Sequence, residues 1–206
     1  MARIERAAAG ELSALDPIFT AYRDRLIRLV TIRLDPRLQR RVDASDVVQE
    51  GLVDAWGRIG EYLADPSRMP FYLWIRFLVR QRVADAHRRH FGAARNAGKE
   101  ISLYRSDMPE VNTAALVAHL LGHITSPSEA AIRAERSIRL QEALSAMDEI
   151  DREILVLRHY EQLSNGDAAL VLGLDKSATS KRYIRALLRL KEHLRKPDGT
   201  TGERYS

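Results

Sequence analysis

The chain has 206 residues, 45% of them apolar and 30% charged, with a formal charge of +5 and no cysteine. That length suits one large domain or two small ones, and the absence of cysteine excludes disulfides, thiol redox chemistry and Cys-ligated zinc. No run approaches the roughly 20 apolar residues of a membrane span, and the charges within "MARIERAAAGELSALD" argue against a signal peptide, so the expectation is a cytoplasmic protein whose positive balance suits a polyanionic partner.

The periodicity is helical nearly everywhere, with no β alternation and no internal repeat, which predicts an all-α fold. Leu12, Leu15, Phe19, Tyr22, Leu26 and Leu29 form the stripe of a first amphipathic helix, with Asp16 as cap and Pro17 at its first position. "LDPR" at 34–37 stops it, because a residue before proline is driven out of the α region. A second helix opens at Asp43 with Val47, Val48, Leu52, Ala55, Trp56 and Ile59 on its inner face. After the loop "ADPSRMP", a third runs from about Phe71 to His90, with Phe71, Ile75, Leu78, Val79 and Val83 facing inward. Residues 96–136 read as a linker carrying one docked helix at the apolar patch 114–121. The helical signal resumes over 137–196, and 197–206 is a polar tail. The expected architecture is two small helical domains, 1–95 and 137–196, joined by a flexible linker.

Three stretches carry chemistry. "SNGDAALVLGLDKSATSKRYIRALLRL" begins with Ser164 and Asp167 in a capping box. Gly173 then supplies a turn, and Asp175 or Ser177 caps a longer basic helix. Short helix, glycine turn and basic helix together make a helix-turn-helix, whose outward Ser177, Ser180, Lys181, Arg182 and Arg185 would meet a major groove. The third helix and the few residues after it hold six arginines (76, 80, 82, 88, 89 and 95) against Asp85, interleaved with Tyr72, Trp74, Phe77 and Phe91. Cations along a backbone, with rings for unstacked bases, suit single-stranded nucleic acid. The alternative is that some of these rings pack the core. In "DASDVVQE", Asp43, Asp46 and Glu50 lie three and four apart and form one acidic ridge, unexpected in a basic chain.

The order and spacing of "DASDVVQEGLVDAW", "FYLWIRFLVRQRVADAHRR" and "DREILVLRHYEQLSNGDAALVLGLDKSATSKRYIRALLRLK" resemble the bacterial RNA polymerase sigma factors of the extracytoplasmic-function (ECF) group. The first two match region 2 and the third region 4. The resemblance implies that Asp46, Gln49 and Glu50 dock on the clamp helices of the polymerase's largest subunit, with Asp43 as helix cap and the flap as a second polymerase contact. It implies that Arg76, Arg80, Asp85, Arg88, Arg89 and His90 serve the melted −10 element, where an extruded base is held in a pocket. The helix-turn-helix residues would read the −35 element as duplex, and the linker would thread through the polymerase. An anti-sigma factor is a further partner the group implies. Gly51 departs from the family, which has a larger residue there; so does Asp167, where glutamate is commoner.

Two other readings remain. A stand-alone helix-turn-helix repressor, dimeric on a palindrome, explains the C-terminal part and leaves the acidic ridge and basic helix without a role. An enzyme would need a site, yet no HExxH, glycine-rich phosphate loop or Ser/His/Asp framework is present. His119 and His123 have a spacing compatible with zinc, but they read better as the polar side of a linker helix. No metal or cofactor is expected.

Overall fold

The computed structural model describes residues 2–91, 111–121 and 130–195, and every regular element among them is helical. Helix α1 (Ala2–Ala8) precedes a 3-10 turn, Leu12–Leu15, and α2 (Asp16–Arg33). The first stripe is therefore broken: Leu12 is exposed while Leu15, Leu26 and Leu29 are buried. Pro17 sits in the first turn as its missing N–H dictates. The cap position is Leu15, without a side-chain bond, and Asp16 is instead the first helical residue, an acid at the positive end of the helix. Leu34 turns extended, with ψ 127°, and ends α2 ahead of Pro36.

Helix α3 (Ala44–Gly57) starts where Asp43 accepts a 2.7 Å bond from the Ser45 amide, and α4 (Ile59–Ala64) follows directly. Helix α5 (Phe71–Phe91) lies along α3 and α2. Gly51 explains that close approach. A Cβ there would stand 2.6 Å from Val79 Cγ2 and 3.0 Å from Val79 Cα, so a larger residue has no room. Trp56, expected on the inner face of α3, lies 42% exposed and meets Phe19 edge-on at 5.9 Å.

Helix α6 (Thr113–Leu121) is the docked linker helix, entered where the Asn112 amide donates to the Ile32 carbonyl at 2.8 Å. Helix α7 (Ala130–Ser145) begins seven residues before the sequence signal at Ser137. Helix α8 (Glu149–Leu155), capped by Asp148, runs on as a π turn over Val156–Tyr160. Then come α9 (Asn165–Leu172) and α10 (Lys176–Arg195). The cap signals hold in detail. Ser164 accepts from the Asp167 amide at 3.0 Å, Gly173 is left-handed at φ 63°, and Asp175 accepts from the Ala178 amide at 2.8 Å.

The two halves share their apolar interior. Ile154, Leu157, Leu163, Ala168, Val171 and Leu172 join the cluster built on Leu26, Leu29, Ile75, Leu78 and Val79. A second cluster unites Ile32 of α2 with Leu116 and Val117 of α6 and with Leu140, Leu144 and Leu155. Burying one such side chain is worth about 1.5–3 kcal/mol, so the lobes and the linker helix hold one another by the same force that forms each of them.

Candidate functional site

On α3, Val47, Val48 and Ala55 face the core, which by helical geometry turns Asp46, Gln49 and Glu50 to solvent; all three are exposed. Exposed Val53 and Trp56 extend this face by another turn, giving an acidic end and an apolar end. Sequence reasoning missed Val53, although it lies three residues beyond Glu50 on the same stripe. Arg89 approaches Glu50 at 3.6 Å and Arg82 pairs with Asp54, so the basic helix runs beside the acidic one.

The candidate residues of α5 divide into two groups. Arg88, Arg89 and His90 are exposed at its C-terminal end, and Asp85 pairs there with Arg88 and, at 3.4 Å, with Arg82. Arg76 and Arg80, in contrast, are 3% and 5% exposed. Arg76 donates twice to the Glu161 carboxylate, at 2.7 and 3.1 Å, and Arg33 pairs with Glu153 while lying 3.8 Å from Glu161. Of the rings, Tyr72 and Trp74 are buried, Trp74 against Phe71 and Tyr62. Phe77 is half-buried, and Phe91 is exposed beneath the Arg37 guanidinium, 4.5 Å from its ring centre. Arg95 lies outside the described residues.

This buried cluster governs its own ionisation. Burial pushes the Glu161 carboxyl up, but the charges of Arg76, Arg33 and Arg80, with the Arg76 hydrogen bonds, outweigh it and hold the group below the usual glutamate range. Burial, then the neighbouring Arg76 and Arg33, pull Arg80 down to about 10, which leaves it charged at neutral pH. Neither Glu153 nor Glu161 was singled out from sequence, since an acid in "DREIL" or "HYEQLS" reads as solvated when its partner lies far away in the chain. The signal that could have found the cluster is α5 itself. "FYLWIRFLVR" is apolar all round the helix, the mark of an element buried on every side, and Arg76 and Arg80 lie inside it.

On α10, Ser177, Lys181 and Arg185 are exposed at four-residue spacing, one continuous face, with Ser180 half-buried at its edge. Arg182 turns inward and donates to Asp151 at 3.1 Å; Arg189 donates to the same carboxylate at 2.9 Å. Asp151 is only 1% exposed, so these bonds fix α10 on α8. Among the described residues no group of three or more His, Asp or Glu is placed to hold a metal ion. The His119 side chain and His123 lie outside those described.

Residues 18–91 match the family model for Sigma-70 region 2, and 137–190 that for Sigma-70 region 4. The ECF RNA polymerase sigma factor SigD of Mycobacterium tuberculosis is 28% identical over 191 residues, 93% of this chain and 82% of that one. The RNA polymerase sigma-H factor of Pseudomonas aeruginosa is 26% identical over 183 residues, 89% and 87% of the two chains. A solved structure of CnrH in complex with the cytosolic domain of CnrY shares the fold with a TM-score of 0.51 at 21% identity, over 93% of this chain and 94% of that one. With region 2 supplying the acidic and basic helices and region 4 the helix-turn-helix, the chain belongs to the ECF-type sigma factors, which bind core RNA polymerase and direct promoter recognition and transcription initiation.

Proposed function

We propose that this sigma factor divides its work by charge. Asp46, Gln49 and Glu50, with Val53 and Trp56 continuing the face, grip the clamp helices of the polymerase's largest subunit. Complementary charge there speeds docking and fixes register, and it repels nucleic acid from that face. Within residues 1–95, Arg88, Arg89 and His90, beside Asp85, bind the melted −10 strand, and Arg76 and Arg80 add to that contact once exposed. Within residues 137–196, Ser177, Ser180, Lys181 and Arg185 face the −35 duplex, while Arg182 positions their helix through Asp151. Residues 96–136 tether the two, so that two weak DNA contacts reinforce each other through effective concentration. The chain acts by binding, not as an enzyme, and in the cytoplasm; no helix among the described residues is long and apolar enough to cross a membrane. The solved CnrH complex favours a protein partner for the free form as well.

One observation carries the reading: exposed faces of opposite sign, acidic on α3 and basic on α5 and α10, stand on one fold. Run-off transcription with purified core polymerase tests it. The wild-type chain should confer defined start sites. Asp46→Arg with Glu50→Arg should abolish co-purification with core while leaving the helical circular dichroism unchanged, because both side chains are exposed. Normal co-purification of that variant would refute the polymerase contact. Tight, specific duplex binding without core would favour a repressor instead.

A further inference from the structure

A cavity of about 230 Å3 stands between α5 and α9, with Leu73 and Phe77 of α5 on one side and Leu170 and Val171 of α9 on the other. Its polar lining is all of one sign. Arg68 enters from the loop before α5, and Arg76 and Arg80 stand one turn apart on that helix. Among the described residues no acidic side chain lines the space. Arg68 and Leu170 are exposed and mark the mouth, while Arg76 and Arg80 are buried and lie deeper. A concave, mostly apolar space with a few convergent charged groups is the ordinary form of a small-molecule site.

Cations at such depth draw anions strongly, because water screens them poorly. Glu161 engages one edge of the Arg76 guanidinium through two hydrogen bonds, which holds the group still while its other edges carry further donors. The surroundings stay positive on balance: burial, then the charges of Arg76 and Arg33, pull Arg80 down to about 10 against the opposing Glu153 and Glu161. Guanidinium groups suit the forked oxygens of a carboxylate or a phosphate. The rest of the wall selects the body of the ligand. Leu73, Phe77, Leu170 and Val171 offer neither donor nor acceptor in their side chains, so a sugar or nucleobase there would lose its hydrogen bonds with water and gain none. Since benzene occupies an apolar cavity of about 150 Å3, a space of about 230 Å3 admits a body of roughly eight carbons. We propose that this cavity is a binding site for a small apolar carboxylate, a medium-chain fatty acid or an aryl alkanoate, with its carboxylate on the arginines and its body between α5 and α9. Each half of the chain supplies one wall, so a bound acid also ties α5 to α9. The site is a property of the free chain and stands apart from the functional reading above.

Calorimetric titration of the full-length chain with octanoate and with 3-phenylpropionate tests the assignment and separates a flexible chain from a ring. One molecule should bind per chain, and the melting temperature should rise with acid concentration as mass action requires. 1-Octanol has the body without the charge, and acetate the charge without the body. Each should bind more weakly by about tenfold or more, through loss of the charged hydrogen bonds in one case and of buried methylenes in the other. Arg68 and Leu170 are exposed, so Arg68→Ala and Leu170→Trp should keep the helical circular dichroism of the wild type. Arg68→Ala should weaken binding about tenfold, and Leu170→Trp, whose ring fills the space, should abolish it. The site is overturned by absence of saturable binding for both acids, or by binding that neither variant weakens, which would put the acid elsewhere on a basic surface.

Discussion

Gly51 shows how one missing carbon can set a helix pair. Glycine inside a helix costs about 1 kcal/mol against alanine, yet here it admits Val79 to a distance no Cβ tolerates. Overpacking costs about 1–3 kcal/mol, so Gly51→Ala should lower the urea midpoint in spite of its better propensity. Val79→Ala clears the nearest clashing atom, and the double variant should lose less stability than the two single losses summed, the mark of direct coupling. Glu161 makes a second single-residue case. Its carboxyl is held below the ordinary value of 4.5 by burial-resisting arginines. As pH falls below about 4.5 the unfolded chain takes up this proton while the folded chain resists it, so the stability from this group is present above that pH and lost below. Chemical denaturation carried downward from pH 5 should show a decline that Glu161→Gln flattens.

At the scale of the element, α10 separates reading from holding. Lys181 is exposed. Lys181→Ala should therefore leave thermal stability unchanged and reduce the salt slope of −35 binding by about 1, as loss of one phosphate contact does. Arg182→Ala should instead lower stability, by about 1–3 kcal/mol, because it removes a partner from nearly buried Asp151. Its effect on DNA would then come through the tilt of α10, and it should appear in the melting curve before it appears in a binding curve. The cap of α9 is a smaller device of the same kind. Ser164→Ala removes the bond to the Asp167 amide and should cost about 1 kcal/mol.

For the whole molecule, the shared clusters mean that neither lobe owns its interior. Ile154, Leu157 and Leu172 complete a core whose bulk is N-terminal, and Ile32 does the reverse. Calorimetry should accordingly record one cooperative transition, with calorimetric and van't Hoff enthalpies equal. Glu161→Gln should lower the temperature of that single transition, because an unpaired buried arginine cluster weakens the seam on which the shared core depends; removing one partner of a buried pair costs about 3–5 kcal/mol.

Local rules were enough to read most of the elements from sequence. Asp43, Ser164, Gly173 and Asp175 act on amides and dihedrals within four residues of themselves, so their caps and turns are legible without a fold, and so is the exposure of Asp46, Gln49 and Glu50 opposite an apolar stripe. What only the tertiary structure decided is the fate of Arg76 and Arg80, the place of Gly51 and the inward turn of Arg182. Each depends on a partner far away in the chain: Glu161 for Arg76, Val79 for Gly51, Asp151 for Arg182. A charge has the same sequence signature whether it meets water, phosphate or a buried carboxylate, and what tells them apart is which element packs over it.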